Sequence, residues 1–169
     1  MIMGKTDPPV APVWLTWNPS TTTLRWPDHP ADQPSVVLPL GVQSLAAACF
    51  RQTRPSPLEL ERAIDQVEDA LDGLGSVRSS HQMLATTDPT LLVLAHGHGQ
   101  QIPSGVWLLT REQVEMLFQR LVSAALGHPS ADAGLPADQA AYARLLLLRE
   151  LMHHLHFDAV QVQPQDGAM

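Results

Sequence analysis

The sequence contains one cysteine and one lysine among 169 residues, and these two shortages exclude several classes of protein. The single Cys49 cannot form an internal disulfide, and its apolar neighbours in VQSLAAACF are typical of a small buried hydrophobe. The chain has ten basic and seventeen acidic residues, which gives a net charge of −7. The basic residues are Lys5 and scattered arginines, so the sequence contains no basic patch. We therefore expect a cytoplasmic protein that binds neither nucleic acid nor membranes.

Long apolar runs are also missing. The densest apolar segment, AAYARLLLLRELM, is interrupted by Arg144 and Arg149 and falls short of the roughly 18 apolar residues that suggest a membrane span. The amino-terminal MIMGKTDPPVAPV has no apolar core of signal-peptide length. The composition, 44% hydrophobic and 16% charged, is typical of a globular chain. We expect a single α+β domain over residues 13–162, with flexible tails at 1–12 and 163–169.

Local patterns predict the order of the strands and helices. VWLTW and TTLRW flank the turn-forming NPST and indicate a β-hairpin. Ser56, Pro57 and Glu59 have the spacing of an N-cap, a first helical residue and a capping box, so a helix begins there. The acidic residues of that helix, Glu68 among them, are predicted to face solvent, with a cation site as the alternative. The other predicted elements are strands at 36–40, 82–86, 91–96 and 105–110, an edge strand at 158–162, and helices at 42–52, 110–126 and 137–156.

The two halves of the chain, residues 13–75 and 80–162, both read as hairpin, strand, helix, helix, which indicates an internal repeat. The apolar run LLVLA predicts a central strand buried on both faces, and HGHGQQIPSG predicts a long hairpin loop after it. The expected fold class is α+β, a mostly antiparallel sheet with about four helices packed on it and the halves as candidate pseudo-repeats.

The last predicted helix is apolar on two sides. Ala141, Leu145 and Met152 belong to one stripe that faces the core, whereas Leu146 and Leu147 lie away from that stripe. A helix that is apolar nearly all round is covered on both sides, by its own domain or by another subunit. We therefore expect a homodimer formed through this helix, with another protein as a further candidate partner.

The segment RELMHHLHFD, at the end of this helix, holds the residues closest to known chemistry. Glu150, His153 and His154 stand at i, i+3 and i+4 and point the same way, as Glu-x-x-His residues do in metal sites of helical bundles. Convergence with His96 and His98 would complete a ligand set for zinc or nickel. In the simpler interpretation no cofactor binds, and the imidazoles interact with the exposed carbonyl groups and the dipole of the helix end.

Complete catalytic motifs are absent from the sequence. There is no Gly-x-Ser-x-Gly turn, no His-Glu-x-x-His zinc motif and no phosphate loop carrying Lys-Ser or Lys-Thr. The sequence therefore favours a non-catalytic cytoplasmic protein with an accessory, regulatory or interaction role. The alternative is a metal-binding protein or metal-dependent hydrolase that uses the carboxy-terminal Glu/His cluster. A third hypothesis, a binder of small organic ligands, requires the tryptophan hairpin or Trp107 to line a cavity.

Overall fold

The computed structural model describes residues 11–27, 36–75, 83–128, 131, 134–135 and 138–165. These residues form seven strands and five α-helices. In chain order the elements are β1 Val13–Trp17, β2 Thr22–Arg25, β3 Val36–Leu38, α1 Val42–Cys49, α2 Pro57–Asp72, β4 Leu84–Thr86, α3 Pro89–His98, β5 Gln100–Gln101, β6 Trp107–Thr110, α4 Arg111–Ala125, α5 Gln139–His154 and β7 Ala159–Val162.

All seven strands belong to one mixed sheet in the order β3-β2-β1-β4-β7-β6-β5. The three central strands β1, β4 and β7 are parallel, and the outer pairs are antiparallel. The prediction of a mostly antiparallel sheet with about four helices is therefore wrong. Parallel neighbours need long helical crossovers, and the helices between β1 and β4 and between β4 and β7 supply them.

The largest local error concerns the apolar run after β4, which is helix α3 and not a strand. Asp88 caps this helix by accepting a hydrogen bond from the Leu91 backbone N–H at 2.9 Å, and Pro89 occupies the first turn. Aspartate followed by proline is a strong helix start. A short apolar run carries no periodicity that separates a buried strand from a buried helix, so this start signal was the decisive feature.

The strand predicted at the sheet edge, β7, lies near the middle of the sheet. It pairs in parallel with β4, where Leu84 faces Val160, and antiparallel with β6, where Leu109 faces the same Val160. The second half of the chain therefore runs strand, helix, hairpin, helix, helix, strand, an order that the first half does not share. The predicted pseudo-repeat is absent from this order.

Helix α5 lies at the centre of the helical layer and contacts α1, α2, α3 and α4. Its leucines, together with Ala141 and Ala143, are buried, and Leu145, Leu146, Leu147 and Leu148 have no exposed surface. The apolar surface that suggested a homodimer is thus covered by helices of the same chain. Self-association stays a prediction, and the described structure does not indicate which surface it would use. Among the described helices, none has the length and apolar content needed to cross a membrane.

The predicted tails fall mainly on residues 1–10 and 166–169, which lie outside the described residues. The described part beyond β7 is tied to the sheet, because the Gln163 backbone N–H donates to the Thr86 carbonyl at 2.9 Å. The β1–β2 hairpin, in contrast, is present as predicted, with Leu15 opposite Leu24. Its turn packs tightly against Gly41 at the start of α1, where a Cβ atom would lie 2.3 Å from the Asn18 carbonyl oxygen.

Candidate metal centre

Three ligand-type side chains meet between α2 and α5. Glu150 and His154 lie one turn apart on α5, and Glu68 comes from the facing helix α2. Both helices lead directly into parallel strands, α2 into β4 and α5 into β7. A crossover helix runs back along its strands, so the carboxy-terminal turns of α2 and α5 lie near the amino ends of β4 and β7.

The ligand atoms of this cluster are close together, within ion-pair distance but without the geometry of hydrogen bonds. His154 Nε2 lies 3.4 Å from Glu150 Oε2 and 3.6 Å from Glu68 Oε1, and one atom from each of the three residues falls within 4.8 Å of the others. Glu150 has no exposed surface, and its Oε2 atom and His154 Nε2 are buried without a hydrogen-bond partner. Buried polar atoms without partners are rare in folded proteins, and a bound cation would satisfy both of these.

The other oxygen of Glu150 is held by its neighbour. Glu150 Oε1 accepts a hydrogen bond from the Arg149 guanidinium, whose Nε atom also donates to Glu115 Oε2 at 2.8 Å. The guanidinium carbon lies 4.9 Å from the ring centre of Phe118. Burial alone would lower the pKa of Arg149, but its hydrogen bonds to Glu115 and Glu150 outweigh that effect and raise it. Arg149 is therefore a fixed positive charge beside the buried carboxylate.

The donor set is one imidazole nitrogen with two carboxylate oxygens. Such mixed ligands suit zinc, nickel and other first-row metals, whereas magnesium favours oxygen ligands in octahedral geometry. The side chains of Glu68 and His154 are 45% and 30% exposed, so one side of the cluster faces solvent. Three protein ligands with an open side match the arrangement of catalytic metal sites more closely than that of closed structural sites.

The residues predicted from sequence divide into two groups. Glu150 and His154 are in the cluster, whereas His153 points toward a cavity of about 450 Å³ on the α4 side of α5, with Arg111, Glu115 and Arg149 among its lining residues. The rings of His153 and His154 meet edge to face at 5.5 Å. None of the four tryptophans lines this cavity, so the cavity offers no support to the hypothesis of an aromatic small-ligand site.

His96 and His98 lie on α3 and contribute nothing to the cluster. The ring of His96 packs on Trp107 at a centroid distance of 4.6 Å, and the His98 imidazole lies beside Gly134. Because LLVLAHGH is helical, both histidines belong to the last turns of α3 and not to a loop.

The sequence does not identify Glu68 as a ligand beside Glu150 and His154, because it belongs to an acidic run whose simplest interpretation is a solvent-facing surface. Its side chain is indeed half exposed, and no local spacing marks it as a ligand. Its role depends on the packing of α2 against α5, which brings Glu68 and His154, 86 positions apart, into contact. A helix-to-helix contact of this kind leaves no motif in a single sequence.

In many open α/β sheets, ligands bind at the carboxyl ends of the parallel strands. In this chain these are the carboxyl ends of β1, β4 and β7, at the end of the sheet opposite the metal cluster. Its carboxylate Asp88 is already held: Oδ2 pairs with Arg144 Nε at 2.9 Å, and Oδ1 caps α3. The first N–H groups of α1, from Gln43 and Ser44, donate to the Pro19 carbonyl. Asp88 and these two N–H groups are therefore engaged, whereas the indole Nε1 of Trp17, the last residue of β1, is buried without a hydrogen-bond partner.

No family model matches the sequence, and no curated protein matches it. Solved structures do match. The chain is similar to the Ppx/GppA enzyme of Aquifex aeolicus, with a TM-score of 0.63 and 16% identity over 90% of this chain and 52% of that one. It is also similar to an exopolyphosphatase from Cytophaga hutchinsonii, with a TM-score of 0.61 and 12% identity over 90% of this chain and 52% of that one. An exopolyphosphatase-like protein gives a TM-score of 0.64 and 9% identity, covering 96% and 57% of the two chains.

These neighbours correct the prediction of a non-catalytic accessory or interaction protein, because the fold is one that phosphatases and exopolyphosphatases carry. The prediction rested on missing motifs, and those motifs belong to enzymes of other folds. The identities are low, so the similarity concerns the fold. The chain has the fold of Ppx/GppA-type structures and spans about half of their length.

Proposed function

We propose that the protein binds one divalent transition metal, zinc or nickel, through Glu68, Glu150 and His154 and uses it to hydrolyse a phosphate ester or anhydride. One observation carries the metal site: Glu150 Oε2 and His154 Nε2 are buried, converge to 3.4 Å and have no hydrogen-bond partner. The class of reaction is taken from the structural neighbours, which are described as phosphatases and exopolyphosphatases.

The chemistry of such a site follows from its open side. A metal with three protein ligands keeps a position for water and lowers the pKa of that water toward neutrality. In hydrolysis the water oxygen would form a bond to phosphorus, the bond from phosphorus to the leaving oxygen would break, and the proton released by the water would pass to the leaving oxygen. The half-exposed Glu68 side chain forms the solvent side of the cluster, where a substrate can approach. We also place this activity in the cytoplasm, because the one cysteine fits a reducing compartment.

The metal site is tested by elemental analysis of protein purified without an affinity tag or chelator. We expect close to one zinc or nickel ion per chain in the wild type and little in His154→Ala. His153→Ala is the matched control, because this neighbouring histidine lies on the cavity side of α5 and outside the cluster. Equal loss in both variants, or no uptake by wild type supplied with zinc and nickel, would refute the site.

Hydrolysis is tested separately by phosphate release from inorganic polyphosphate and from a chromogenic phosphate monoester. We expect release that requires zinc or nickel, is not supported by magnesium alone, and disappears in His154→Ala but not in His153→Ala. A wild-type protein that holds stoichiometric metal and releases no phosphate from either compound would contradict the hydrolase and leave the metal site standing.

A further inference from the structure

We infer that Arg149 is a positioning residue for the metal: it holds one oxygen of Glu150 so that the other faces the metal, a role that rests on the proposed metal site. The two oxygens of Glu150 have different surroundings. Oε1 is hydrogen-bonded to the Arg149 guanidinium, and Oε2 is turned toward His154 and Glu68 without a hydrogen bond. A free carboxylate rotates between equivalent positions, whereas this one is held in a single orientation.

The guanidinium is itself held by three contacts. Its Nε atom donates to Glu115 on α4, its plane lies near the Phe118 ring, and Nη1 donates to Glu150. The planar fork of arginine lets one side chain bond two carboxylates in different directions, which the single ammonium of lysine cannot reproduce. The orientation of Glu150 is therefore fixed by a residue that is anchored on a second helix.

Charge balance points to the same role. Glu150 is completely buried, and burying a carboxylate is costly unless a positive charge is paired with it. Arg149 provides that charge through Oε1, so its contact with Glu150 leaves Oε2 available to a metal. Groups that orient metal ligands in this way typically contribute about 10- to 100-fold to metal affinity.

The test compares zinc dissociation constants of the wild type, Arg149→Lys and Glu115→Gln, measured by competition with a chromogenic chelator. Arg149→Lys keeps a positive charge but loses the fork, and we expect affinity to fall by about 10- to 100-fold. Glu115→Gln removes the negative charge on α4 but keeps a side-chain oxygen that can accept the hydrogen bond from Arg149 Nε, so Arg149 stays anchored and we expect a change of no more than about threefold. Unfolding midpoints of the metal-free variants show whether either substitution acts through stability.

Coordination by cobalt(II) gives a readout that a purely structural role would not change. Visible absorption of bound cobalt weakens as its coordination number rises, and a released Glu150 can offer both oxygens. We therefore expect a weaker band in Arg149→Lys and an unchanged band in Glu115→Gln. Wild-type affinity and spectrum in Arg149→Lys, or equal losses in both variants that track their stability, would overturn the role of Arg149. A wild type that binds no metal would overturn the proposed function as well.

Discussion

His156 lies in the left-handed region of backbone space, with φ of 60°, directly after Leu155, the C-cap of α5. The Phe157 N–H donates to the Met152 carbonyl at 3.0 Å across this residue, the long hydrogen bond of a Schellman motif, and Phe157 is fully buried. The position that usually holds glycine in this motif is taken by an exposed histidine. The turn that ends α5 is therefore strained two residues beyond the metal cluster.

Replacing His156 by glycine should stabilise the protein by roughly 1 kcal/mol, because the left-handed conformation is unfavourable for a residue with a Cβ atom and neutral for glycine. The free energy of unfolding from urea titration measures the effect. His153→Gly is the control, since glycine inside the last turn of α5 should destabilise by about 1 kcal/mol. A loss of stability in His156→Gly would show that the imidazole makes a contact worth more than the strain.

At the scale of elements, Glu59 at the start of α2 makes two hydrogen bonds, one within the local capping motif and one to the loop before the helix. Glu59 Oε2 accepts a hydrogen bond from the Ser56 N–H and Oε1 accepts one from the Arg51 N–H, both at 2.7 Å. The sequence predicts the first bond, because Ser56, Pro57 and Glu59 form a capping box. The second is long-range and was not predictable, since nothing in the spacing of the residues indicates how the 50–56 loop folds back.

Hydrogen bonds from the Ser56 and Arg51 backbone lower the pKa of Glu59 below its ordinary value of 4.5. A carboxylate with a lowered folded-state pKa contributes stability that is present above its unfolded-state pKa and is lost as the pH falls through the folded-state pKa. Glu59→Gln should therefore be less stable than wild type at about pH 7, and the difference should shrink below about pH 4.5. Urea unfolding across this range measures it. Glu61→Gln, on the exposed face of the same helix, should show no such trend.

Helix starts with a side-chain cap were the predictable elements, and one of them was still misassigned. The start of α4 at Arg111 follows the Thr110–Gln113 capping box that the sequence predicts. Asp88 and Pro89 carry an equally good signal for α3, but the apolar run behind them matched the expectation for a buried strand. Giving the apolar run more weight than the helix start leads to the wrong fold class, because a strand in place of α3 predicts an antiparallel meander.

At the scale of the whole molecule, the pairing of β1, β4 and β7 brings together segments that are far apart in the chain. Val13 pairs with Leu84, and Leu84 pairs with Val160, so the centre of the sheet joins residues from both ends of the described chain. Sequence patterns constrain neighbours within a few positions, whereas this register depends on packing of the complete core. The metal cluster has the same origin, since Glu68 meets Glu150 and His154 only when α2 packs on α5.

A ligand that bridges α2 and α5 should therefore stabilise the whole fold and not a single helix. At a free zinc concentration of about 100 times Kd, linkage gives about 2.7 kcal/mol, which for a domain of this size raises Tm by roughly 5–10 °C. Thermal unfolding of the wild type with and without zinc measures the shift, and EDTA should reverse it.

The chain has eight histidines, so zinc bound elsewhere must be distinguished from zinc in the cluster. His153→Ala should keep the full shift and His154→Ala should lose it, whereas equal shifts in both variants would place the bound zinc outside Glu68, Glu150 and His154.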